Sequence, residues 1–266
     1  MHLRRWLAHG AARGTVHLVH GLGEHIGRYE LVARALSAAG WDVAGHDHRG
    51  HGRSDGPRGT LGAAPGSDSL LVDLALVFDH HRGSGMQVLL GHSMGGLIAA
   101  RLVAEASATS RATWSRDVDA LVLSSPALDA GLSAPQRLLL SALWKLAPEL
   151  RVGNGLKAEW VSRDPAVVAD YRADPLNHDR VTPRLVRFIA DAGELVRQRA
   201  AAWQVPTLLL WAGADRCVAP AGSRAFAAAA PRARVDSHEY AGLYHELFNE
   251  PEKAQVIARV ITWLNA

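Results

Sequence analysis

A serine flanked by glycines, set between two apolar runs, constrains the fold more than any other stretch of this sequence. Val88–Leu90 has the composition of a buried strand, Gly91–Gly95 holds the pattern Gly-x-Ser-x-Gly around Ser93, and the residues after it suit a helix. Between a strand and a helix, this pattern places the serine on a sharp, strained turn with its hydroxyl pointing out of the sheet. Glycine suits positions 91 and 95, because side chains would collide where the two backbones nearly touch. The stretch therefore predicts an exposed nucleophile at the end of a buried strand.

Strand and helix patterns alternate on both sides of Ser93, as in a parallel α/β sheet. Strand patterns occupy Thr15–Val19, Trp41–Gly45, Met86–Leu90, Val118–Pro126, Val205–Asp215 and Ala233–Tyr240. From about Leu128 to Gln204 the alternation stops, and helical patterns near residues 134–146, 164–171 and 183–202 replace it. The sequence thus predicts a sheet core formed by residues 1–127 and 205–266, with a helical cap inserted at 128–204.

The composition excludes several classes of protein. Of the 266 residues 48% are hydrophobic, which is ample for a large core, and 29 basic against 26 acidic residues give a net charge of +3. Because the arginines are scattered rather than grouped in one stripe, no nucleic-acid partner is expected. The single cysteine excludes internal disulfides, and no stretch approaches the roughly 20 apolar residues that span a bilayer. The N-terminal residues lack the apolar part of a signal peptide, so we expect a cytoplasmic protein.

Two further residues follow strand ends and can serve Ser93. Parallel sheets bring binding groups together at the carboxyl ends of their strands. Asp215 ends a late strand, and His245 lies in the loop between the last strand and the last helix. A serine hydroxyl needs a base within hydrogen-bond reach, itself oriented by an acid, and the order serine, acid, histidine is the one this architecture uses. We predict a catalytic triad of Ser93, Asp215 and His245.

Acyl transfer places negative charge on an oxygen, which backbone N–H groups stabilise. One donor is expected from Met94, directly after the nucleophile. The second is expected from Leu22, in the loop His20–Gly23 that follows the first strand of the alternating pattern. The alternative interpretation of that loop is a simple glycine turn.

Neither a metal nor a cofactor is indicated. The loop His46–Pro57 contains three histidines, but their spacing matches no zinc pattern and no cysteine accompanies them. Cys217, two residues after the predicted acid, is interpreted as an ordinary buried thiol, because a serine mechanism does not need it.

Several stretches together resemble the monoacylglycerol lipase and lysophospholipase branch of the α/β-hydrolases. They are His-Gly-Leu-Gly-Glu-His-x-Gly-Arg-Tyr at residues 20–29, Asp-x-Arg-Gly-His-Gly-x-Ser at 47–54, Gly-His-Ser-Met-Gly-Gly at 91–96, and the surroundings of Asp215 and His245. The similarity covers about residues 10–262 and is weakest across the cap. It implies an α/β-hydrolase fold with a mostly parallel eight-stranded sheet, the triad and N–H donors named above, and no cofactor.

The resemblance also implies where a substrate binds. In this family the cap forms an acyl tunnel and a face that meets lipid, so Leu143 and Trp144 are candidate substrate contacts. Their apolar neighbours are Leu138, Leu139, Leu140 and Leu146. Alternatively, these side chains pack the cap onto the core. Glu24 and Arg28 stand either near the polar head of a glycerol ester or in a structural ion pair under the loop.

The hypothesis from sequence is therefore a serine ester hydrolase that acts on single-chain lipid esters, first of all monoacylglycerols, with peripheral membrane contact through the cap. Lysophospholipase and general carboxylesterase activity are the alternatives within this class. A non-catalytic small-molecule binder on the same fold is the alternative from another class.

Overall fold

One sheet of seven strands runs through the computed structural model, which describes residues 1–62, 68–106, 108 and 110–266. Its strands are β1 (Leu3–Trp6), β2 (Gly14–Val19), β3 (Asp42–His46), β4 (Met86–His92), β5 (Ala120–Ser124), β8 (Thr207–Ala212) and β9 (Val235–Tyr240). They lie in the order β1-β3-β2-β4-β5-β8-β9, and every neighbouring pair is parallel except β1 with β3. Two short strands, β6 (Val152–Gly153) and β7 (Arg180–Val181), pair separately.

Helices cover both faces of the sheet. They are α1 (Glu30–Ala38), α2 (Ser69–His81), α3 (Met94–Ala106), α4 (Ala134–Leu146), α5 (Pro165–Ala173), α6 (Pro183–Gln198), α7 (Pro220–Ala229) and α8 (Lys253–Leu264). None of the helices in the described ranges combines the length and the apolar character that a membrane crossing requires. The predicted mostly parallel sheet flanked by helices is confirmed.

Among the described residues the sheet has seven strands and not the eight that the resemblance implies. In the described residues the sheet ends at β1 on one edge and at β9 on the other. Both edge strands carry charged side chains, including Arg4 and Arg5 on β1 and Asp236 and Glu239 on β9. Charged side chains are a common protection of sheet edges against further pairing.

Alternate residues of the central strands build the two halves of the core. On β4, Val88 and Leu90 face the layer that contains α1 and α8, whereas Leu89 faces the layer of α2, α3 and α6. Side chains of a strand point to opposite faces in turn, so a strand covered on both faces is apolar throughout. This explains the unbroken apolar run before Ser93.

The segment between β5 and β8, residues 125–206, contains α4, α5, α6 and the β6–β7 pair, in the stretch where the sequence predicts a helical cap. Helix α6 packs on the core through Leu185, Phe188 and Val196. Helix α4 begins at a capping box formed by Ser133 and Gln136 and has no buried residue. The segment is thus firmly seated at α6 and exposed at α4.

The start of α3 crosses the end of β2 at very short range. A Cβ added to Gly95 would lie 2.1 Å from the carbonyl oxygen of Val19 and 2.4 Å from that of His20, and one added to Gly91 would lie 2.5 Å from the carbonyl oxygen of Gly95. Because backbone atoms cannot move aside as a flexible side chain can, no larger residue fits at either position. The crossing fixes α3 against two neighbouring strands.

We predict that Gly95→Ala lowers the free energy of unfolding by about 3 kcal/mol, because the added methyl group forces α3 away from β2. Urea denaturation followed by circular dichroism measures the loss. Gly242→Ala is the matched control, since a Cβ at Gly242 meets no atom within 4 Å. Equal stability of the two variants would contradict so close a crossing of α3 and β2.

Candidate active site

Ser93 occupies the turn between β4 and α3 with a backbone φ of +54°. Its N–H donates to the carbonyl oxygen of Ser124 at 3.0 Å, and its own carbonyl oxygen accepts from the N–H groups of Leu97 and Ala127, each at 3.0 Å. A non-glycine residue in the left-handed region stores strain that surrounding contacts must hold. These three hydrogen bonds hold it, and the predicted sharp turn at Ser93 is present.

Asp215 and His245 meet although they lie on loops after different strands. The Nδ1 atom of His245 lies 2.7 Å from Oδ2 of Asp215. The other carboxylate oxygen, Oδ1, accepts from the N–H groups of Cys217 at 2.8 Å and Val218 at 3.1 Å. Only 1% of the Asp215 side chain and 7% of the His245 side chain are exposed. The carboxylate is therefore held on both oxygens and aimed at the imidazole.

Burial and nearby carboxylates act in opposite directions on His245. Burial lowers its pKa, but the Asp215 carboxylate, through charge and hydrogen bonding, raises it, and so do Glu246 and Glu24. The outcome is a pKa above the ordinary value of 6.5. An imidazole poised in this way accepts a proton more readily than a free histidine does.

Ser93 and His245 line one cavity of about 260 Å³, together with Leu22 and Glu24. The other lining residues come largely from the segment between β5 and β8 and are Gly21, His92, Asn154, Leu156, Lys157, Ala158, Val161, Tyr171, Arg172, Asp174, Asn177, His178, Asp179, Cys217 and Glu246. Asp215 lies behind His245. The structure thus brings the three predicted triad residues to one edge of the sheet.

The loop that holds Leu22 is fixed on both sides of that residue. Before it, the N–H of Gly21 donates to Oε1 of Glu24 at 2.6 Å, and the carbonyl oxygen of His20 lies 3.0 Å from Nε2 of His48. After it, the carbonyl oxygen of Gly23 accepts from the N–H of His178 at 2.8 Å. The loop is more than a simple glycine turn, because tertiary contacts determine its conformation.

Met94 is the first residue of α3 and is buried. The first N–H groups of a helix have no acceptor within the helix, and they lie at the positive end of its dipole. Met94 thus places a backbone N–H beside Ser93, at the position where the sequence predicts an oxyanion donor.

Glu24 and Arg28 belong to a buried ionic network. Nε of Arg28 lies 3.1 Å from Oε2 of Glu24, and Nη2 of Arg28 lies 2.5 Å from Oε2 of Glu246. Tyr29 donates its hydroxyl proton to Glu24 at 2.6 Å. Glu24 reaches the cavity, whereas Arg28 does not line it. This arrangement favours the structural ion pair over a direct contact of Arg28 with substrate.

Glu246 and Tyr171 line the cavity but were not predicted. Glu246 directly follows His245, and its position next to the predicted base was the available signal. Tyr171, on α5, stacks under the Arg28 guanidinium with 4.7 Å between the Arg28 Cζ atom and the ring centroid. Nothing in the local sequence around Tyr171 indicates that pairing.

Leu143 and Trp144, the other two candidate substrate contacts, lie away from this cavity. Both are half-buried on α4, and Trp144 faces Arg184 of α6 with 6.0 Å between the guanidinium carbon and the ring centroid. Helix α4 contributes no residue to the lining around Ser93. This arrangement favours the alternative in which these two side chains pack the segment together, because α4 directs its contact face towards α6.

Asp215, Cys217 and His245 also have the donor types of a metal site, with ligand atoms within 4.8 Å of one another. The Asp215 oxygens are already engaged by His245 and by two N–H groups. Burial, and then the charges of Asp215 and Glu246, raise the pKa of the Cys217 thiol well above its usual range. Since metals bind the thiolate, this donor set fits a hydrogen-bonded dyad better than a cation. Within the part of the chain that the structure describes, His46, His48 and His51 form no such group.

A sequence model of the family described as serine aminopeptidase, S33, matches residues 10–252. The chain belongs to this family. The monoacylglycerol lipase of Mycolicibacterium smegmatis is 38% identical over 97% of this chain and 90% of that protein. The human monoglyceride lipase is 31% identical over 93% of this chain and 80% of its own length.

Solved structures agree with this assignment. The monoacylglycerol lipase of Paleococcus ferrophilus superposes with a TM-score of 0.85 at 32% identity, covering 99% of this chain and 98% of that one. A soluble variant of the monoglyceride lipase from Saccharomyces cerevisiae, in complex with a substrate analogue, has a TM-score of 0.84 at 21% identity over 99% and 90% of the chains and supports the fold alone. This S33 family member is a serine ester hydrolase with the α/β-hydrolase fold.

We predict that His245 of this S33 hydrolase titrates above pH 6.5 and that Asp215→Asn lowers its midpoint. The carboxylate stabilises the imidazolium, and an amide cannot replace that charge. Histidine ring signals followed by NMR as a function of pH measure both midpoints. Asp236→Asn on β9 is the matched control and leaves the midpoint unchanged. A parent midpoint below 6.5 would contradict this balance of burial and charge around His245.

Proposed function

We propose that this S33 family member hydrolyses single-chain lipid esters, with monoacylglycerols as the first substrate class, through Ser93, His245 and Asp215. The observation that carries the proposal is the 2.7 Å contact between Asp215 and His245 at the cavity where Ser93 stands on its strained turn. The names of relatives that share most of this chain's length support the substrate class.

In the proposed mechanism His245 removes the proton from the Ser93 hydroxyl as the oxygen attacks the ester carbonyl. The N–H groups of Leu22 and Met94 stabilise the resulting oxyanion. Asp215 holds the ring and stabilises the imidazolium. The imidazolium returns the proton to the departing alcohol, and water activated by the same histidine then hydrolyses the acyl-enzyme.

We further propose that residues 128–204 act as a cap over the site. In support, residues 154–179 supply many of the polar groups that line the cavity, among them Asn154, Lys157 and Tyr171. A lining rich in hydrogen-bonding groups suits the polar alcohol part of a substrate.

We predict that Ser93→Ala lowers kcat for p-nitrophenyl butyrate by roughly 10⁵-fold, because no other group can form the acyl-enzyme. Circular dichroism checks that the variant is folded. Labelling of the parent, but not of Ser93→Ala, by a fluorophosphonate probe distinguishes the enzyme from a non-catalytic binder. A folded Ser93→Ala protein with parental activity would refute the mechanism.

A substrate panel tests the substrate class. Monoacylglycerols of several chain lengths, lysophosphatidylcholine, short esters and an aminoacyl anilide are compared by kcat/KM. We expect the highest values for monoacylglycerols. A preference for lysophosphatidylcholine would instead assign a lysophospholipase, and a preference for acetyl esters a general carboxylesterase.

We also propose that α4 contacts lipid surfaces. Leu138 is 73% exposed and Leu146 is 83% exposed, and Leu139 lies between them on the same helix. Exposed apolar groups that cluster in this way mark interaction surfaces. The two basic residues of α4, Arg137 and Lys145, suit anionic headgroups.

We predict that Leu138→Glu combined with Leu139→Glu reduces binding to phosphatidylglycerol vesicles by about tenfold or more, while hydrolysis of a water-soluble ester is retained. Co-sedimentation with vesicles measures the binding. Leu76→Glu on α2 is the matched control, since Leu76 is 55% exposed on a different surface. Unchanged binding of the double variant would contradict the role of α4.

A further inference from the structure

One arginine joins two buried carboxylates at the floor of the site. The Arg28 guanidinium bonds Glu24 through Nε and Glu246 through Nη2, and all three side chains are less than 10% exposed. The ring of Tyr171 covers the guanidinium. Because water is largely excluded, these charges act on their surroundings with little screening.

Each carboxylate is connected to a different half of the catalytic machinery. Glu24 accepts a hydrogen bond at 2.6 Å from the N–H of Gly21, the residue directly before Leu22. Glu246 follows His245 in the chain, and its Oε2 also accepts from Nδ2 of Asn249 at 2.8 Å. Arg28 therefore links the loop His20–Gly23, called the oxyanion loop below, to the segment that carries the proposed base His245.

We propose that Arg28 is a positioning residue that fixes the oxyanion loop and the His245 segment relative to each other and compensates the negative charge that Glu24 and Glu246 direct at His245. The inference rests on the proposed function, since it concerns the donors and the base of that reaction. Arg28 itself does not touch the cavity.

The charge balance around His245 follows from its neighbours. Asp215 and Cys217 face it from the loop after β8, and the neutral His92 ring lies 4.6 Å away between centroids. The charges of Glu246 and Glu24 also act on His245, and both raise its pKa. Around Arg28 the further groups are Tyr29, Tyr171 and Asp174, of which Asp174 is paired with His25 at 2.7 Å. Arg28 is the cation placed between the two glutamates.

Loss of Arg28 is expected to raise the pKa of His245. Without Arg28, the negative charges of Glu24 and Glu246 are no longer compensated by the guanidinium. Both carboxylates then stabilise the imidazolium more strongly, so His245 keeps its proton to higher pH. Because the base must be neutral to act, activity is lost first on the acid side. A purely structural role would lower activity equally at all pH values.

The test compares Arg28→Gln, Arg28→Lys and the double variant Arg28→Gln, Glu246→Gln with the parent. The substrate is p-nitrophenyl butyrate, which carries no titrating group, and the product is read where phenol and phenolate absorb equally. We expect the ratio of kcat/KM at pH 6 to that at pH 9 to fall roughly tenfold in Arg28→Gln. The double variant removes one charge of each sign and returns the ratio towards the parent. Arg28→Lys keeps the positive charge but cannot bond Glu24 and Glu246 with two separate nitrogens as the guanidinium does. We therefore expect it to keep the parental pH 6 to pH 9 ratio while its kcat falls.

Arg163→Gln is the matched control. Arg163 also joins two glutamates, Glu250 at 2.5 Å and Glu252, but in a cluster that does not line the cavity. Its loss lowers stability without changing the pH ratio. Thermal unfolding of every variant confirms that the compared proteins are folded.

A second readout separates this inference from the proposed function. NMR titration of His245 shows a higher midpoint in Arg28→Gln than in the parent, whether or not an ester is hydrolysed. A parental midpoint and a parental pH ratio in folded Arg28→Gln overturn the inference, as does an equal change in Arg163→Gln. A parent that hydrolyses none of the esters overturns the proposed function, and the NMR comparison then still decides the role of Arg28.

Discussion

The contact of α3 with the end of β2 is the constraint on which the rest of the site depends. At Gly95 the helix backbone touches the carbonyl groups of two β2-end residues. That contact sets how closely the first turn of α3 approaches the loop that leaves β2. Ser93 and Met94 stand on one side of the crossing and Leu22 on the other. The position of Ser93 relative to the proposed oxyanion donors thus depends on this backbone contact as well as on the hydrogen bonds that hold the Leu22 loop.

The buried charges beside the site are the second organising factor, and their burial costs free energy. Burying a carboxylate or a guanidinium costs several kcal/mol, which attraction repays only when geometry and hydrogen bonding are good. The chain buries Glu24, Arg28 and Glu246 together, and their oxygens and nitrogens take partners within the network and from Gly21, Tyr29 and Asn249. Such a set is sensitive to the loss of any one member. The charges of Glu24 and Glu246 also act on His245.

Local patterns predicted those parts of the structure that depend on nearby residues. The helix at 134–146 begins and ends where its periodicity indicated, and the strand predicted at 41–45 is displaced by one residue, to Asp42–His46. The Gly-x-Ser-x-Gly turn carries its own steric signature, and the alternation of strands and helices identified the loops that hold Asp215 and His245. These elements needed no knowledge of distant contacts.

The parts that failed depend on tertiary packing. Arg28 and Glu246 are separated by 218 positions, and no spacing rule connects them. The sequence of α4 indicated apolar residues but not what they would meet, so it left open whether Leu143 and Trp144 contact substrate or pack the segment onto the core. The eighth strand came from resemblance and not from a pattern in these residues, and the described sheet does not contain it.

The hydrogen bond from the N–H of His178 to the carbonyl oxygen of Gly23 ties one part of the segment between β5 and β8 to the loop that holds Leu22. The carbonyl oxygen of His178 would lie only 2.3 Å from a Cβ atom at Gly23, so the two backbones are in close contact. A displacement of the chain at His178 therefore displaces the loop His20–Gly23 as well. Within the described residues, the end of α4 is tied instead to α6, where the N–H of Arg184 donates to the carbonyl oxygen of Pro148 at 3.1 Å. Substitutions on α4 are therefore less constrained by the loop His20–Gly23 than insertions around residue 178, which would displace that loop.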